Sequence, residues 1–119
     1  MKVLLVDDEK DIVSTLAERL SLRGIEATWV TSGEEALNLL KTETFDLAIL
    51  DVKMPSMNGL ELQKKMNENH RELKCLFLTS RGAEEASEPG AQLTGQENYL
   101  SKPIKIEELI KKMNEALKS

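Results

Sequence analysis

At 119 residues the chain has the length of one domain, enough to bury a single core without disulfide or metal staples. Hydrophobic residues make up 40% and charged residues 31%, and a net charge of −5 with Lys and Arg interspersed among Glu excludes both a disordered chain and a basic nucleic-acid surface. One cysteine leaves no intrachain disulfide, and the absence of a signal peptide or a long apolar run points to a cytoplasmic protein away from the membrane. With two Phe, one Tyr and one Trp there is no stacking platform for bases.

In chain order, "KVLLV" (2–6) reads as a strand. Val13, Leu16, Ala17 and Leu20 recur at helical spacing, with Gly24 as the stop. "IEATWV" (25–30) is a second strand, and Ser32 with Glu35 forms a capping box ahead of Ala36, Leu39 and Leu40. "FDLAIL" (45–50) is a third strand, followed by Asp51 and a turn through Pro55 and Asn58-Gly59. A third helix ends near His70, and "KCLFLT" (74–79) is a fourth strand. A fourth helix is expected in 81–97, shortened or irregular because Pro89-Gly90 interrupts it. "NYLS" (98–101) is a fifth strand, and the last helix carries Ile106, Leu109, Ile110, Met113 and Leu117 on one face. The runs 3–6, 47–50 and 75–78 are apolar almost throughout, as suits strands covered on both faces. Alternating strands and helices imply right-handed crossovers and a parallel sheet, with the second strand at an edge.

In such α/β sheets, ligands bind beyond the carboxyl ends of the strands. Those ends carry Asp7 and Asp8, Thr31, Asp51, Thr79 and Lys102. Two carboxylates ~5 Å apart repel by about 3 kcal/mol at an effective dielectric of 20, so three together call for a cation. Mg²⁺ fits, being a hard ion that takes carboxylate oxygens and keeps several waters. Asp8 and Asp51 then ligate directly, Asp7 directly or through water, and the Lys53 backbone carbonyl is a further ligand. Thr79 and Lys102 call for an anion beside the metal. A phosphoryl group on Asp51 meets that need, with Asp51 as the nucleophile.

These residues stand in "LLVDDE", "LAILDVKMPSMNG", "LFLTSRG" and "YLSKPI", and the chain resembles the receiver domain of bacterial two-component response regulators from end to end. The resemblance implies one receiver domain over residues 1–119. Its fold would be a flavodoxin-like, doubly wound five-stranded parallel sheet in the order 2-1-3-4-5 with five helices. It also implies that Asp51 is the phosphoacceptor, Asp7 and Asp8 the Mg²⁺-binding pair, Thr79 the switch hydroxyl, Lys102 the phosphate-binding lysine and Tyr99 the switch aromatic. The Lys102-Pro103 bond resembles the family's cis peptide, and Lys53 and Arg81 match positions that tune dephosphorylation. The implied function is a phosphoacceptor switch rather than an enzyme with external turnover. Its phosphate would come from a sensor histidine kinase or histidine phosphotransfer protein, and it would act as a monomer or weak dimer with no nucleic acid bound by this domain.

Two other classes compete. A haloacid-dehalogenase-type phosphatase needs a second Asp two residues after the nucleophile, where this chain has Lys53. A receiver-fold binding module that works without phosphorylation remains the alternative. The other chemically reactive side chains read as structural: His70 at the surface, Cys75 as a buried, inert thiol and Trp29 as packing.

Overall fold

Residues 3–6, 47–50 and 75–78 are buried at every position, the burial pattern of strands covered on both faces. They form the centre of β1 (Lys2–Val6), β3 (Leu47–Asp51) and β4 (Lys74–Thr79) in a computed structural model. It describes residues 1–52, 57, 59–70, 73–79, 99–101 and 104–118, with 79, 99 and 101 described by backbone alone. β2 (Glu26–Val30) and β5 (Tyr99–Ser101) complete one five-stranded sheet in the order β2-β1-β3-β4-β5, with every pair parallel. The helices are α1 (Lys10–Ser21), α2 (Gly33–Leu39), α3 (Gly59–Asn69) and α4 (Ile106–Lys118). The α/β fold and strand order are those expected. Four helices stand among the described residues, and the helix expected in 81–97 lies outside them.

Because side chains alternate across a strand, the sheet divides the core in two. Val3, Leu5, Leu47, Ile49, Leu76 and Leu78 face Val13, Ala17 and Leu20 of α1 and Leu109 and Met113 of α4. Leu4, Val6, Ala48, Leu50 and Phe77 face Ala36 of α2, Leu40 just beyond it, and Leu62 and Met66 of α3. Fully burying one such Leu or Phe side chain stabilises the fold by about 1.5–3 kcal/mol. Trp29, on the edge strand β2, packs against the first of these layers, the packing role expected of it. Burial also pushes the Cys75 thiol up to about 12, so it stays protonated and unreactive.

Where observed boundaries differ from the expected ones, hydrogen bonds account for it. Ile25 donates its N–H to the Leu20 carbonyl at 3.1 Å, closing α1 over Gly24 at φ 81°, so β2 starts one residue later. Asp46 is exposed and caps the start of β1: its N–H donates to the Lys2 carbonyl and its carboxylate accepts the Lys2 N–H, both at 2.8 Å. β3 therefore begins at Leu47 and runs on to Asp51, which pairs in register with Leu78. The capping box forms by half. Ser32 Oγ accepts the Glu35 N–H at 3.1 Å, but the Glu35 carboxylate takes the Thr31 and Ser32 hydroxyls rather than a backbone N–H.

Candidate functional site

Parallel pairing sets the site. Val6 pairs with Leu50, so the chain leaves β1 at Asp7 and reaches Asp51 on β3 at the same height, where the strand order reverses between β1 and β3. Asp8 follows at the mouth of the β1–α1 turn. One carboxylate oxygen from each of Asp7, Asp8 and Asp51 lies within 4.8 Å of the others. Asp7 and Asp51 are 5% and 6% exposed, whereas Asp8 faces solvent.

The floor beneath the two buried acids is apolar. Beneath Asp7 and Asp51, Leu5, Val13, Leu16, Ile49 and Leu78 line a small void of about 10 Å³, at the lower limit for one water. Two of the three acids are thus held in an apolar surround, and the third, Asp8, is exposed. Asp7 is oriented by its own turn, its Oδ1 accepting the Glu9 N–H at 2.9 Å. This contact lies outside the reading of strand ends, although an Asp two residues before the N–H it captures is a recognisable local signal. Both buried acids make further polar contacts, so neither stands alone.

An all-carboxylate set at this spacing suits a hard divalent cation, which prefers oxygen ligands. Among the described residues no sulfur or imidazole ligand joins the cluster, which argues against zinc as the fitting ion. Thr79 is the last residue of β4 and pairs with Ser101 of β5, directly before Lys102 in the chain. The backbone thus brings β4 and β5 to the same rim. The Thr79 and Tyr99 side chains, Lys53, Arg81, Lys102 and the Lys102-Pro103 bond lie outside the described residues.

A second residue that spacing alone did not single out is Gly59. It opens α3 and donates its N–H to the Val52 carbonyl at 2.9 Å, pressing its Cα against the Asp51 backbone. In the sequence it reads only as the second half of an Asn-Gly turn.

His70 follows α3 half-buried at the opposite end of the sheet, where a groove of about 810 Å³ also takes in Phe45, Asp46 and Lys74. That groove is wide and open and takes in none of the three acids, so the chemistry converges elsewhere. Among the described residues no helix is long and apolar enough to cross a membrane.

Comparison with known proteins agrees with this geometry. The family model described as the response regulator receiver domain matches residues 3–114. The transcriptional regulatory protein CpxR of Escherichia coli is 37% identical over 117 residues, covering 98% of this chain and 49% of its own length. The response regulator SaeR of Staphylococcus aureus is 33% identical over 115 residues, covering 97% of this chain and 50% of its own length. The chain thus spans about half the length of the curated relatives it matches. A Francisella response regulator receiver domain superposes with a TM-score of 0.84 at 32% identity, covering 98% of this chain and 96% of that one. TrrA of Thermotoga maritima, solved in complex with Mg(2+)-BeF, gives 0.83 at 30% identity, with 97% of each chain covered. The strand order, the acids gathered at its switch point and these matches lead to one conclusion: the chain belongs to the response regulator receiver domain family of two-component signal transduction.

Proposed function

We propose that Asp51 accepts a phosphoryl group and that the chain acts as a phosphorylation-controlled switch. One observation carries this reading: the Asp51 carboxylate is buried at the sheet's rim with the oxygens of Asp7 and Asp8 within 4.8 Å. An Asp51 oxygen attacks the phosphorus of a phosphohistidine on a sensor kinase or phosphotransfer protein. The O–P bond forms as the P–N bond breaks, its electron pair returning to the imidazole nitrogen, which takes up a proton. Hydrolysis reverses the state: water attacks phosphorus, the carboxylate leaves, and inorganic phosphate departs. Self-catalysis of this kind is positioning and charge neutralisation, with little proton chemistry for the protein to supply.

Mg²⁺, held by Asp7, Asp8, Asp51 and the Lys53 backbone carbonyl, would neutralise the charge that gathers on the phosphoryl oxygens. The relative TrrA, solved with Mg(2+)-BeF, supports that choice of ion. Lys102 pairs with the phosphoryl group, and Thr79 donates its hydroxyl to it, leaving space into which Tyr99 turns. One charge-assisted hydrogen bond is worth about 1.5–3 kcal/mol, whereas inverting a 1:99 equilibrium needs about 5.5 kcal/mol. Thr79 alone therefore gives a partial shift, completed by Lys102 and by an output partner that prefers the active shape.

Incubation with Mg²⁺ and acetyl phosphate, read by intact mass, tests the proposal. A gain of about 80 Da, one phosphoryl group, is expected in the wild type and not in Asp51→Asn. A wild-type chain that gains nothing from any phosphodonor is instead a binding module built on the receiver fold.

A further inference from the structure

We infer that Gly59 is a positioning residue for Asp51: the first residue of α3 is seated on the peptide that carries the phosphoacceptor, and only a residue without a side chain fits there. This rests on the reading of Asp51 given above. A Cβ built at Gly59 would meet the Asp51 carbonyl oxygen at 2.5 Å, and the Asp51 carbonyl carbon and Val52 Cα at 3.1 Å each. All three are backbone atoms, so no flexible side chain can swing aside to make room. Conformation is not the reason for glycine here: among the described glycines Gly24, and not Gly59, has a positive φ.

Neither side of this contact is free to retreat. α3 is held by Leu62 and Met66, both fully buried in the layer it shares with α2. These lie three and seven residues after Gly59, on the same helical face. The Asp51 peptide is held from the other direction, with Asp51 in register with Leu78 and the Val52 N–H donating to the Leu78 carbonyl at 3.2 Å. The Gly59 N–H to the Val52 carbonyl, at 2.9 Å, closes the loop between them. A side chain at 59 therefore moves α3 and the β3 end apart by several tenths of an ångström. The Asp51 carboxylate then moves relative to Asp7 and Asp8, which belong to a different strand end. By comparison, the atoms nearest a Cβ at Gly33, at the start of α2, belong to the flexible Met57 side chain, with the thioether sulfur first at 2.7 Å.

Displacements of about 1 Å at reacting groups cost up to about 100-fold in rate, so Gly59→Ala is expected to slow phosphorylation by acetyl phosphate roughly 10- to 100-fold per folded molecule. Mg²⁺ affinity, followed by thermal shift with the metal alone, is expected to weaken as well. Ile110→Ala, in the α4 layer on the other side of the sheet, serves as a destabilised control and is expected to keep the wild-type rate per folded molecule. A Gly59→Ala protein with wild-type rate and wild-type Mg²⁺ affinity overturns the inference. Should Gly59→Ala not fold, amide chemical shifts of the wild type decide. The Gly59 signal is expected to move with those of Asp51 and Val52 on Mg²⁺ addition, and a silent Gly59 beside a shifting Asp51 refutes the inference. Failure of the wild type itself to gain phosphate would instead refute the phosphoacceptor reading, leaving the Mg²⁺ measurements to test Gly59.

Discussion

Asp7, just past the end of β1, and Asp51, the last residue of β3, sit at the same height, each directly after one member of the Val6–Leu50 pair, and both are buried. Parallel register makes this unavoidable: whatever follows Val6 must sit beside whatever follows Leu50. Repulsion between the two acids, with Asp8 close by, is therefore built into the folded state and not into the unfolded chain.

Asp51→Asn keeps the side-chain volume and removes one of the crowded charges. At ~5 Å and an effective dielectric of 20 the full pair repulsion is about 3 kcal/mol, and solvent on the Asp8 side reduces it. In chelator-treated buffer the variant is expected to be more stable than wild type by about 1–2 kcal/mol, raising Tm by roughly 4–12 °C. Thermal melts measure this. A lower Tm would mean that hydrogen bonds to the Asp51 carboxylate outweigh the repulsion.

Added Mg²⁺ is expected to reverse that ranking. A ligand at 100 times its Kd stabilises the folded state by about 2.7 kcal/mol, so the wild-type Tm climbs with the metal while that of Asp51→Asn climbs less. Asp7→Ala is expected to respond least, because it loses a carboxylate and also the acceptor that fixes the Glu9 N–H. A wild-type melting curve insensitive to millimolar Mg²⁺ contradicts the site as drawn.

Ser32→Ala deletes the side chain that accepts the Glu35 N–H at the start of α2. Losing an N-cap typically costs about 1 kcal/mol. Urea denaturation is expected to show that loss, with the phosphorylation rate unaltered. Because Glu35 also takes the Thr31 hydroxyl, Thr31→Ala should add little to it.

Gly24→Ala isolates backbone conformation from space. A Cβ there meets nothing within 4 Å, yet φ is 81°. The cost is then purely conformational, about 1–2 kcal/mol, and Gly24→Asn should lose less because Asn tolerates the left-handed region. Equal losses in the two variants would show that φ is not what glycine supplies at this position.

Cys75 gives a pH signature with a defined sign. Its thiol is raised from 9.0 to about 12 by burial, so the unfolded chain ionises first as pH rises. Its contribution to stability is fully present below about pH 9 and is lost from there towards about pH 12, at up to about 1.4 kcal/mol per pH unit. Cys75→Ala is expected to flatten the alkaline limb of stability against pH. In the native wild type at pH 8, thiol reagents should react only at the rate of unfolding.

Much of the fold was legible because apolar runs and turn residues are local signals. The unbroken runs at 3–6 and 47–50 identified central strands, since alternation disappears when both faces are covered. Strand limits were less legible. Ile25 is apolar and reads as strand, but its N–H donates to the Leu20 carbonyl at the end of α1. Competition of that kind for a backbone donor leaves no mark on residue type.

The sequence by itself determined the alternation of strands and helices, the exposed edge position of β2 and the acids that end β1 and β3, because hydrophobic pattern and strand-end polarity are properties of short stretches. Only the tertiary structure decided that three carboxylates come within 4.8 Å over an apolar floor, and that Gly59 rests on the Asp51 peptide. Both depend on register and helix seating, which are set by packing between segments dozens of residues apart and are written in no single one of them.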